Sequence, residues 1–368
     1  MNITGIIAEY NPFHNGHIYH IQKAKEITDC DLMIAVCSGN FTQRGEISVL
    51  DKFQKTKAAL ENGVDIVVEL PLAWTLQNGS IFGEHAVSIL KQMKITDLVF
   101  GSETNNLEKL SKMASLPIQI DYLKEILSTG ISYPKAYGLL TAALYPNDLL
   151  GLSYMKAIGE SGIKPHTIAR TNEYHSLELT DISSAKAIRK ALQEGRDYSC
   201  ATPVIIKEPL FNQDLYPQFR RILFTSNRSD LQKMHLVNEG IEKRIMDCAM
   251  QCADYEEFLQ TCSSRRYTYS RIKRTMISIL LSLKKEEIAS LPQQDFIRVL
   301  GFNQKGQEYL SSLKKEVALI TQFKKMPEAY KQIEWKASCL YASYRKDFNS
   351  FLKQELKGPI ILKEKASS

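Results

Sequence analysis

The chain has 368 residues, of which 44% are hydrophobic and 24% charged, and its formal net charge is +6. This composition is typical of soluble globular proteins, and the length suggests two domains. No apolar run reaches the roughly 18–20 residues of a membrane span and no secretory signal precedes the first strand, so we expect a cytoplasmic protein with no membrane partner.

Apolar runs alternate with helical spacing along the first two hundred residues. Strands are predicted at residues 3–8, 31–37, 64–70, 97–100 and 163–170. Helices are predicted at residues 15–28, 51–62, 79–93, 105–145 (with breaks at Gly130 and Pro134), 149–161 and from residue 181 onward. This alternation predicts a parallel sheet with helices on both faces. Ligands bind such sheets at the carboxyl ends of the strands, so the residues after each strand are candidates for a site.

Beyond Thr202-Pro203 the chain is predicted to be helical and poor in strands. We therefore expect an α/β fold: a Rossmann-like domain with a parallel sheet at residues 1–205, then a mainly α-helical domain at residues 206–368. Residues 264–315 contain eleven Lys and Arg against four acids, a net charge of +7. Such a basic window is an electrostatic footprint for a polyanion.

The seven cysteines are odd in number and irregularly spaced, which argues against a disulfide framework. Cys248, Cys252 and Cys262 are interpreted as ordinary buried thiols, with a structural zinc site as the alternative. No protein ligands for a metal are predicted.

Two histidines mark the junction of the first strand and the first helix. His14 and His17 are three residues apart, with Gly16 between them, and residues at that spacing share a helical face. A helix N-terminus attracts phosphate, and two imidazoles there supply further donors for charge that develops on a nucleotide phosphate. This His-x-Gly-His pattern is similar to the signature of the nucleotidyltransferase superfamily, and it predicts a nucleotide site with His14 and His17 as its catalytic residues.

The segment that contains this motif and four further segments narrow the resemblance. In chain order they read Glu-Tyr-Asn-Pro-Phe-His-Asn-Gly-His at 9–17, Ser-Gly-Asn-Phe-Thr-Gln-Arg-Gly-Glu at 38–46, Glu-Leu-Pro at 69–71, Phe-Gly-Ser-Glu at 100–103 and Pro-Asn-Asp-Leu-Leu-Gly at 146–151. Together they closely resemble the bacterial tRNA(Met) cytidine acetate ligase family. The loop at 38–46 is the most specific of them.

The resemblance implies an ATP-dependent ligase that activates acetate as acetyl-adenylate and acetylates N4 of the wobble cytidine of elongator tRNA(Met). It implies ATP as cofactor, with Mg²⁺ expected beside its phosphates. The ATP-binding residues that it implies are Ile7, Ala8, Glu9, Tyr10, Asn11, Pro12, Phe13, His14, Asn15, Gly16, His17, Gly101, Asn147 and Arg170. Residues 182–189 resemble the Ile-Ser-Ser-Thr-x-x-Arg helix start of related adenylyltransferases, with Ala185 in place of the Thr, and this resemblance adds Ser184 and Arg189 as ligands of the β- and γ-phosphates. The role of Arg44, in the specific loop, stays open.

A basic segment in the C-terminal part is the candidate tRNA surface. It interleaves Tyr267 and Tyr269 with five basic residues, and Arg and Lys can neutralise phosphates while Tyr stacks on unpaired bases. A solvated helix face is the alternative interpretation. The predicted tRNA-binding residues are Arg265, Arg266, Arg271, Lys273 and Arg274.

Two other functions share the histidine motif. A small-molecule adenylyltransferase has the same His-x-Gly-His motif near its N-terminus but is usually a much shorter protein. That function does not account for the basic C-terminal part of this chain. A non-catalytic RNA-binding protein with a relic nucleotide site does not account for the intact histidine pair. The residues alone indicate neither the oligomeric state nor the acyl-group specificity.

Overall fold

A computed structural model describes residues 1–115, 120–140, 145–170 and 179–363. A single mixed sheet forms the centre of this part of the chain. Its strands are β1 (Ile3–Ala8), β2 (Leu32–Ser38), β3 (Ile66–Leu70), β4 (Asp97–Ser102), β5 (Lys164–Ala169), β6 (Phe296–Phe302), β7 (Ala318–Ile320) and β8 (Ile360–Ile361). Their spatial order is β5-β4-β1-β2-β3-β6-β7, and β8 also pairs with β6.

The first five strands are parallel, as their alternation with helices predicts. The chain passes from β1 through β2 to β3 on one side of β1, then crosses to β4 and β5 on the other side. The winding direction therefore reverses at β1. In open α/β sheets such a switch point opens a crevice outside the carboxyl ends of the strands.

Helices flank the sheet and build most of the C-terminal part. Those that follow the N-terminal strands are α1 (Asn15–Thr28), α2 (Lys52–Glu61), α3 (Leu72–Thr75), α4 (Gly79–Gln92), α5 (Leu107–Ser115), α6 (Ile120–Ser128), α7 (Tyr133–Leu140), α8 (Pro146–Ile158) and α9 (Ala185–Gln193). Those of the C-terminal part are α10 (Asn212–Thr225), α11 (Arg228–Gln232), α12 (Ile241–Gln251), α13 (Tyr255–Cys262), α14 (Tyr269–Leu280), α15 (Lys285–Ala289), α16 (Gln304–Leu313), α17 (Glu328–Ala342) and α18 (Phe348–Lys357), with a 3₁₀ turn at Phe323–Lys325.

The predicted N-terminal elements agree closely with this arrangement. Asp51 caps α2 as expected, because its side chain accepts hydrogen bonds from the backbone N–H groups of Phe53 and Gln54. The helix predicted at 105–145 is divided into α5, α6 and α7, and its residues 116–119 and 141–144 lie outside the described residues.

The C-terminal part contributes strands that the sequence pattern did not indicate. β6 lies beside β3 and runs antiparallel to it, while β7 and β8 are parallel to β6. All seven residues of β6 are buried, as in a central strand covered on both faces. The sheet is therefore mostly parallel rather than wholly parallel, and it takes strands from both parts of the chain.

A buried ion network joins β6 to the N-terminal sheet. Lys52 Nζ lies 2.9 Å from both Glu69 Oε1 and Glu355 Oε1, and Arg298 approaches the same two carboxylates at 3.3 and 2.7 Å. Burial alone would lower the pKa of Lys52 and that of Arg298, but the two carboxylates raise both above their ordinary values. All four charged groups therefore depend on one another for compensation.

Three larger apolar clusters surround the sheet. Two cover its faces, one with residues of α4 and α8 and the other with residues of α1 and α2. The third gathers the C-terminal helices from α10 to α14 and also takes in Phe41 and Ile47 from the loop after β2. That loop is thereby packed against the helical part. Within the described residues, no helix is both long and apolar enough to cross a membrane.

Candidate active site

The two histidines cap the first turn of α1. His14 is the N-cap residue, and its Nδ1 accepts a hydrogen bond from the backbone N–H of Gly16 at 3.1 Å. His17 Nδ1 in turn accepts from the backbone N–H of His14 at 3.2 Å. Because both Nδ1 atoms act as acceptors, each neutral ring carries its proton on Nε2. Each histidine therefore offers one defined N–H donor.

Burial keeps these rings neutral at physiological pH. It lowers the pKa of His14 to about 3, helped by the positive charges of Arg170 and Arg189. Burial also lowers the pKa of His17 well below its ordinary value, and it lowers that of His20 to about 4. The site therefore presents imidazole N–H groups as neutral donors rather than as cations, and their hydrogen bonds strengthen as charge grows on an acceptor.

A cavity of about 620 Å³ opens over the histidines at the carboxyl ends of β1, β4 and β5. This size is typical of small-molecule sites. The predicted ATP-binding residues that line it are Ile7, Ala8, Glu9, Tyr10, Asn11, His14, Gly16, His17, Gly101, Asn147, Arg170, Ser184 and Arg189.

Three predicted ATP-binding residues lie outside the cavity wall. Phe13 is fully buried, and Pro12 is buried beside it. Asn15 Nδ2 donates to the carbonyls of Asp181 and Cys200, each at 2.8 Å, and so ties the start of α1 to the segment around α9. Pro12 and Phe13 thus belong to the turn between β1 and α1, and Asn15 begins α1.

Glu46 holds together two cations from distant parts of the chain. Its carboxylate lies 3.1 Å from Arg189 Nη2 and 2.9 Å from Lys273 Nζ. Although burial alone would raise the pKa of Glu46, Arg189 and Lys273 lower it to about 2. Arg189 Nη1 also donates to the carbonyl of Asn11 at 2.6 Å. The predicted phosphate ligand Arg189 and the predicted tRNA ligand Lys273 thus share one carboxylate at the cavity wall.

Glu103 and Asp148 organise the opposite wall. The Glu103 carboxylate accepts hydrogen bonds from Asn147 Nδ2 at 2.6 Å and from the backbone N–H groups at the start of α8. Asp148 Oδ1 accepts from Ser102 Oγ and from the Glu103 N–H. These contacts fix Asn147 beside the end of β4, where Gly101 also lines the cavity.

The predicted tRNA residues divide into exposed and enclosed ones. Arg265 and Arg266 are exposed on the turn before α14, and Arg266 and Arg271 both contact Glu239, at 3.3 and 3.1 Å. Arg274 donates to the carbonyl of Gln43 at 3.2 Å, and burial lowers its pKa to about 10.

The tyrosines of this segment also differ. Tyr269 is 48% exposed and lines the cavity together with Ser270 and Lys273. The expectation that Tyr267 stacks on bases is wrong, because its side chain is buried and its hydroxyl donates to the Glu239 carbonyl at 2.6 Å. The start of α14 therefore forms part of the wall that the histidines also line.

Comparison with known proteins identifies the family. A family model described as HIGH Nucleotidyl Transferase matches residues 1–355. The tRNA(Met) cytidine acetate ligase of Kosmotoga olearia is 36% identical over 92% of this chain and 88% of its own length, and that of Bacillus subtilis is 35% identical over 93% and 92%. The chain belongs to the tRNA(Met) cytidine acetate ligase family. It is therefore an enzyme, an ATP-dependent ligase.

Solved structures agree with this family over the whole fold. A crystal structure of Thermotoga maritima TmcAL (apo, form I) is 31% identical, has a TM-score of 0.89, and covers 99% of this chain and 100% of its own. A second form of that protein, bound with alpha-thio ATP, is also 31% identical, with a TM-score of 0.85 and the same coverage. This ligase thus has the same fold, with a mainly parallel central sheet, as these solved relatives.

Two site residues of the ligase were missed by sequence reasoning. Glu46 lies in the specific loop, directly after Arg44 and Gly45, but only Arg44, which also lines the cavity, was singled out there. Lys55 Nζ donates to the carbonyls of Glu9, Ser38 and Gly39 at 2.9, 3.2 and 2.6 Å, and burial lowers its pKa to about 8. Lys55 thereby ties the ends of β1 and β2. A lysine within a predicted helix gives no signal of such burial in the sequence.

The described residues include no group of three or more His, Cys, Asp or Glu that could hold a metal ion. Cys248, Cys252 and Cys262 are buried in the C-terminal core as free thiols. Burial raises the thiol pKa of Cys248 and that of Cys262. Zinc binds thiolates, so this environment favours the interpretation as ordinary buried thiols.

Proposed function

We propose that the ligase activates acetate with ATP as acetyl-adenylate and transfers the acetyl group to N4 of the wobble cytidine of elongator tRNA(Met). One observation carries the proposal. The cavity that His14 and His17 line is also lined by Tyr269, Ser270 and Lys273 at the start of the basic helix α14. A nucleotide and a polyanionic second substrate can therefore meet in one site.

In the first half-reaction an acetate oxygen attacks the α-phosphorus of ATP, and pyrophosphate leaves with the bonding electrons. Charge then grows on the α-phosphate oxygens and on the leaving group, so positioning and preorganised donors matter more than a strong base. The Nε2–H donors of His14 and His17 suit this charge. Arg170 and Arg189, in the same wall, add positive charge for the phosphates.

Magnesium enters the proposal only as the counter-ion of ATP. Mg²⁺ usually keeps several waters and is held by substrate phosphates with one or two carboxylates. The described part of the chain offers no cluster of ligands for it. None of the steps above depends on a protein-bound metal.

In the second half-reaction the tRNA presents its wobble base to the adenylate. A base in an anticodon loop must be turned out of its stack to be modified, which requires an open basic channel beside the ATP site. The exposed Arg265 and Arg266 and the exposed ring of Tyr269 suit such a channel. In this proposal residues 1–205 handle ATP and acetate, and residues 206–368 bind the tRNA.

A direct assay separates this function from its alternatives. Purified protein is incubated with ATP, labelled acetate and total tRNA, and the labelled tRNA and nucleoside are identified. We expect ATP-dependent label in elongator tRNA(Met), on N4 of one cytidine. Adenylyl transfer to a small metabolite without tRNA labelling would instead indicate a small-molecule adenylyltransferase, and tRNA binding without any ATP turnover would indicate a non-catalytic RNA-binding protein.

A further inference from the structure

Glu9 stands out among the residues that were assigned to ATP. Its carboxylate lines the same cavity as the two histidines, in the part of the chain between β1 and α1. ATP phosphates are anionic, and an ionised carboxylate beside them repels rather than binds them. Glu46, the other acid among the described residues of the cavity wall, forms ion pairs with Arg189 and Lys273. The charge of Glu9 therefore suits a different substrate group, one that donates hydrogen bonds.

The backbone holds Glu9 at the border between two sides of the crevice. Its Oε1 accepts a hydrogen bond from the N–H of Gln43 at 2.5 Å, and its carbonyl accepts from Lys55 Nζ at 2.9 Å. Gln43 follows β2 and Lys55 lies on α2, so both partners are on the β2 side of β1. The predicted nucleotide residues Gly101 and Arg170 follow β4 and β5, on the other side of β1. Glu9 thus faces the boundary at which a second substrate would approach a bound adenylate.

The surroundings of Glu9 also favour proton transfer. The cavity wall includes the apolar side chains of Phe82, Phe100 and Leu150. Burial raises the pKa of Tyr154, and the nearby charge of Glu9 raises it further. Burial raises the pKa of Glu9 above its ordinary value, and the charge of Glu46 adds to this effect. The Gln43 N–H and the positive charges of Arg44 and Lys55 offset it in part. A carboxylate with a raised pKa is a stronger base near neutral pH.

We propose that Glu9 is the catalytic base of acetyl transfer, accepting a hydrogen bond from the N4 amine of the target cytidine and removing one N4 proton as the new C–N bond forms. The inference rests on the proposed function. The N4 lone pair attacks the carbonyl carbon of acetyl-adenylate, and the bond from that carbon to the bridging phosphate oxygen breaks. AMP leaves with the electron pair, and the N4 proton passes to the Glu9 carboxylate.

The chemistry of the cytosine amine requires a base, and a carboxylate at this position would also select cytidine. The N4 lone pair is delocalised into the cytosine ring, so the amine becomes a good nucleophile only as it loses a proton. A carboxylate that accepts from cytosine N4 also discriminates against uridine, whose O4 is itself an acceptor. Glu9 would therefore contribute both to rate and to the choice of base.

The test compares Glu9→Gln with the native ligase in two separate half-reactions. Acetate-dependent exchange of labelled pyrophosphate into ATP measures adenylation, and single-turnover transfer of labelled acetyl to tRNA measures the second step. Glutamine keeps an oxygen for the Gln43 N–H but cannot take a proton. We expect exchange within about twofold of the native rate and transfer slower by about 10²–10⁴-fold, the usual contribution of a general base.

The pH dependence supplies a readout that a purely structural role would not change. The native transfer rate should rise with pH as Glu9 loses its proton, along a limb centred above the ordinary carboxyl pKa, and Glu9→Gln should lack that limb. Glu26→Gln, an exposed change on α1 that removes a surface pair with Lys23, is the matched control and should leave both half-reactions unchanged.

Each other outcome overturns the inference in a recognisable way. Equal losses in exchange and transfer, or loss of ATP binding, would assign Glu9 to the adenylation step or to the fold. Native transfer by Glu9→Gln would remove it from the chemistry. If the native protein itself acetylated no tRNA, the proposed function would fail as well, and the native control reveals that case directly.

Discussion

At the scale of single residues, His14 combines two tasks. Its Nδ1 caps α1 through the Gly16 N–H, and the same contact directs its Nε2 proton to the opposite edge of the ring. His17 repeats the pattern one turn along, and the two ring centroids lie 3.8 Å apart. The fold therefore determines the donor atoms before any substrate binds.

Substitutions at His14 can separate its two tasks. His14→Ala removes the cap and the donor, whereas His14→Asn keeps a side-chain acceptor for the helix N-terminus. We expect both variants to lower acetate-dependent ATP–pyrophosphate exchange by about 10²-fold or more, since each loses the imidazole Nε2–H, and the shorter asparagine side chain does not place its amide donor at the same position. Only His14→Ala should also lose about 1 kcal/mol of unfolding free energy, measured with urea. Near-native exchange in His14→Asn would exclude the donor role.

Much of this site can be predicted from residue spacing. The apolar run before Glu9, the turn at Asn11-Pro12 and the spacing of His14 and His17 place the histidines at a strand–helix junction. The tautomers cannot be predicted in this way, because they depend on where two backbone N–H groups point. The ion pair between Glu46 and Lys273 cannot be predicted either, since these two residues are 227 positions apart in the chain.

At the scale of elements, β6 is the main feature that the local pattern did not reveal. Its run Phe-Ile-Arg-Val-Leu-Gly-Phe has an arginine at its third position, which is unusual in a fully buried strand. Arg298 is tolerated because Glu69 on β3 and Glu355 on α18 compensate its charge. Both partners are distant in sequence, so no window around β6 contains the information that makes it a central strand.

The ion network gives this element a measurable energetic role. Arg298→Met keeps the volume of the side chain but leaves the Glu69 and Glu355 carboxylates with Lys52 as their shared cation. We expect the free energy of unfolding to fall by about 3–5 kcal/mol, the usual result of breaking a buried ion network from one side. Lys57→Met removes an exposed pair with Glu61 and should change stability by less than about 1 kcal/mol. Equal losses in the two variants, measured by urea unfolding, would contradict the network's role.

At the scale of the whole molecule, the basic window at 264–315 is not one continuous surface. Arg298 is buried in the ion network, and Arg274 is enclosed beneath the loop that contains Gln43. Lys305 Nζ donates to the carbonyl of Asp31, which directly precedes β2. Lys305 therefore lies at the amino ends of the parallel strands, and the cavity lies at their carboxyl ends. Net charge along the sequence thus overstates the charge available to a polyanion at the site.

The exposed pair before α14 is the part of the window that we expect to bind tRNA. Arg265 and Arg266 precede Tyr269, Ser270 and Lys273, which line the cavity, so phosphates bound there would flank a base that enters it. Each lost phosphate contact removes about 0.7–0.9 from the slope of log affinity against log salt. Charge reversal of both arginines to Glu should therefore weaken tRNA binding and flatten that slope by about one to two, with ATP affinity retained.

Lys305→Glu is the control for this prediction, because it reverses a charge of the same basic window at the amino ends of the parallel strands, away from the cavity. The measurement is a titration of tRNA at several salt concentrations, with native protein and both variants. If the arginine variant kept the native slope while Lys305→Glu lost it, the tRNA surface would lie on the other side of the sheet. If only the arginine variant flattens the slope, the phosphates are bound beside α14, and the anticodon loop approaches the histidines from the side of the C-terminal helices.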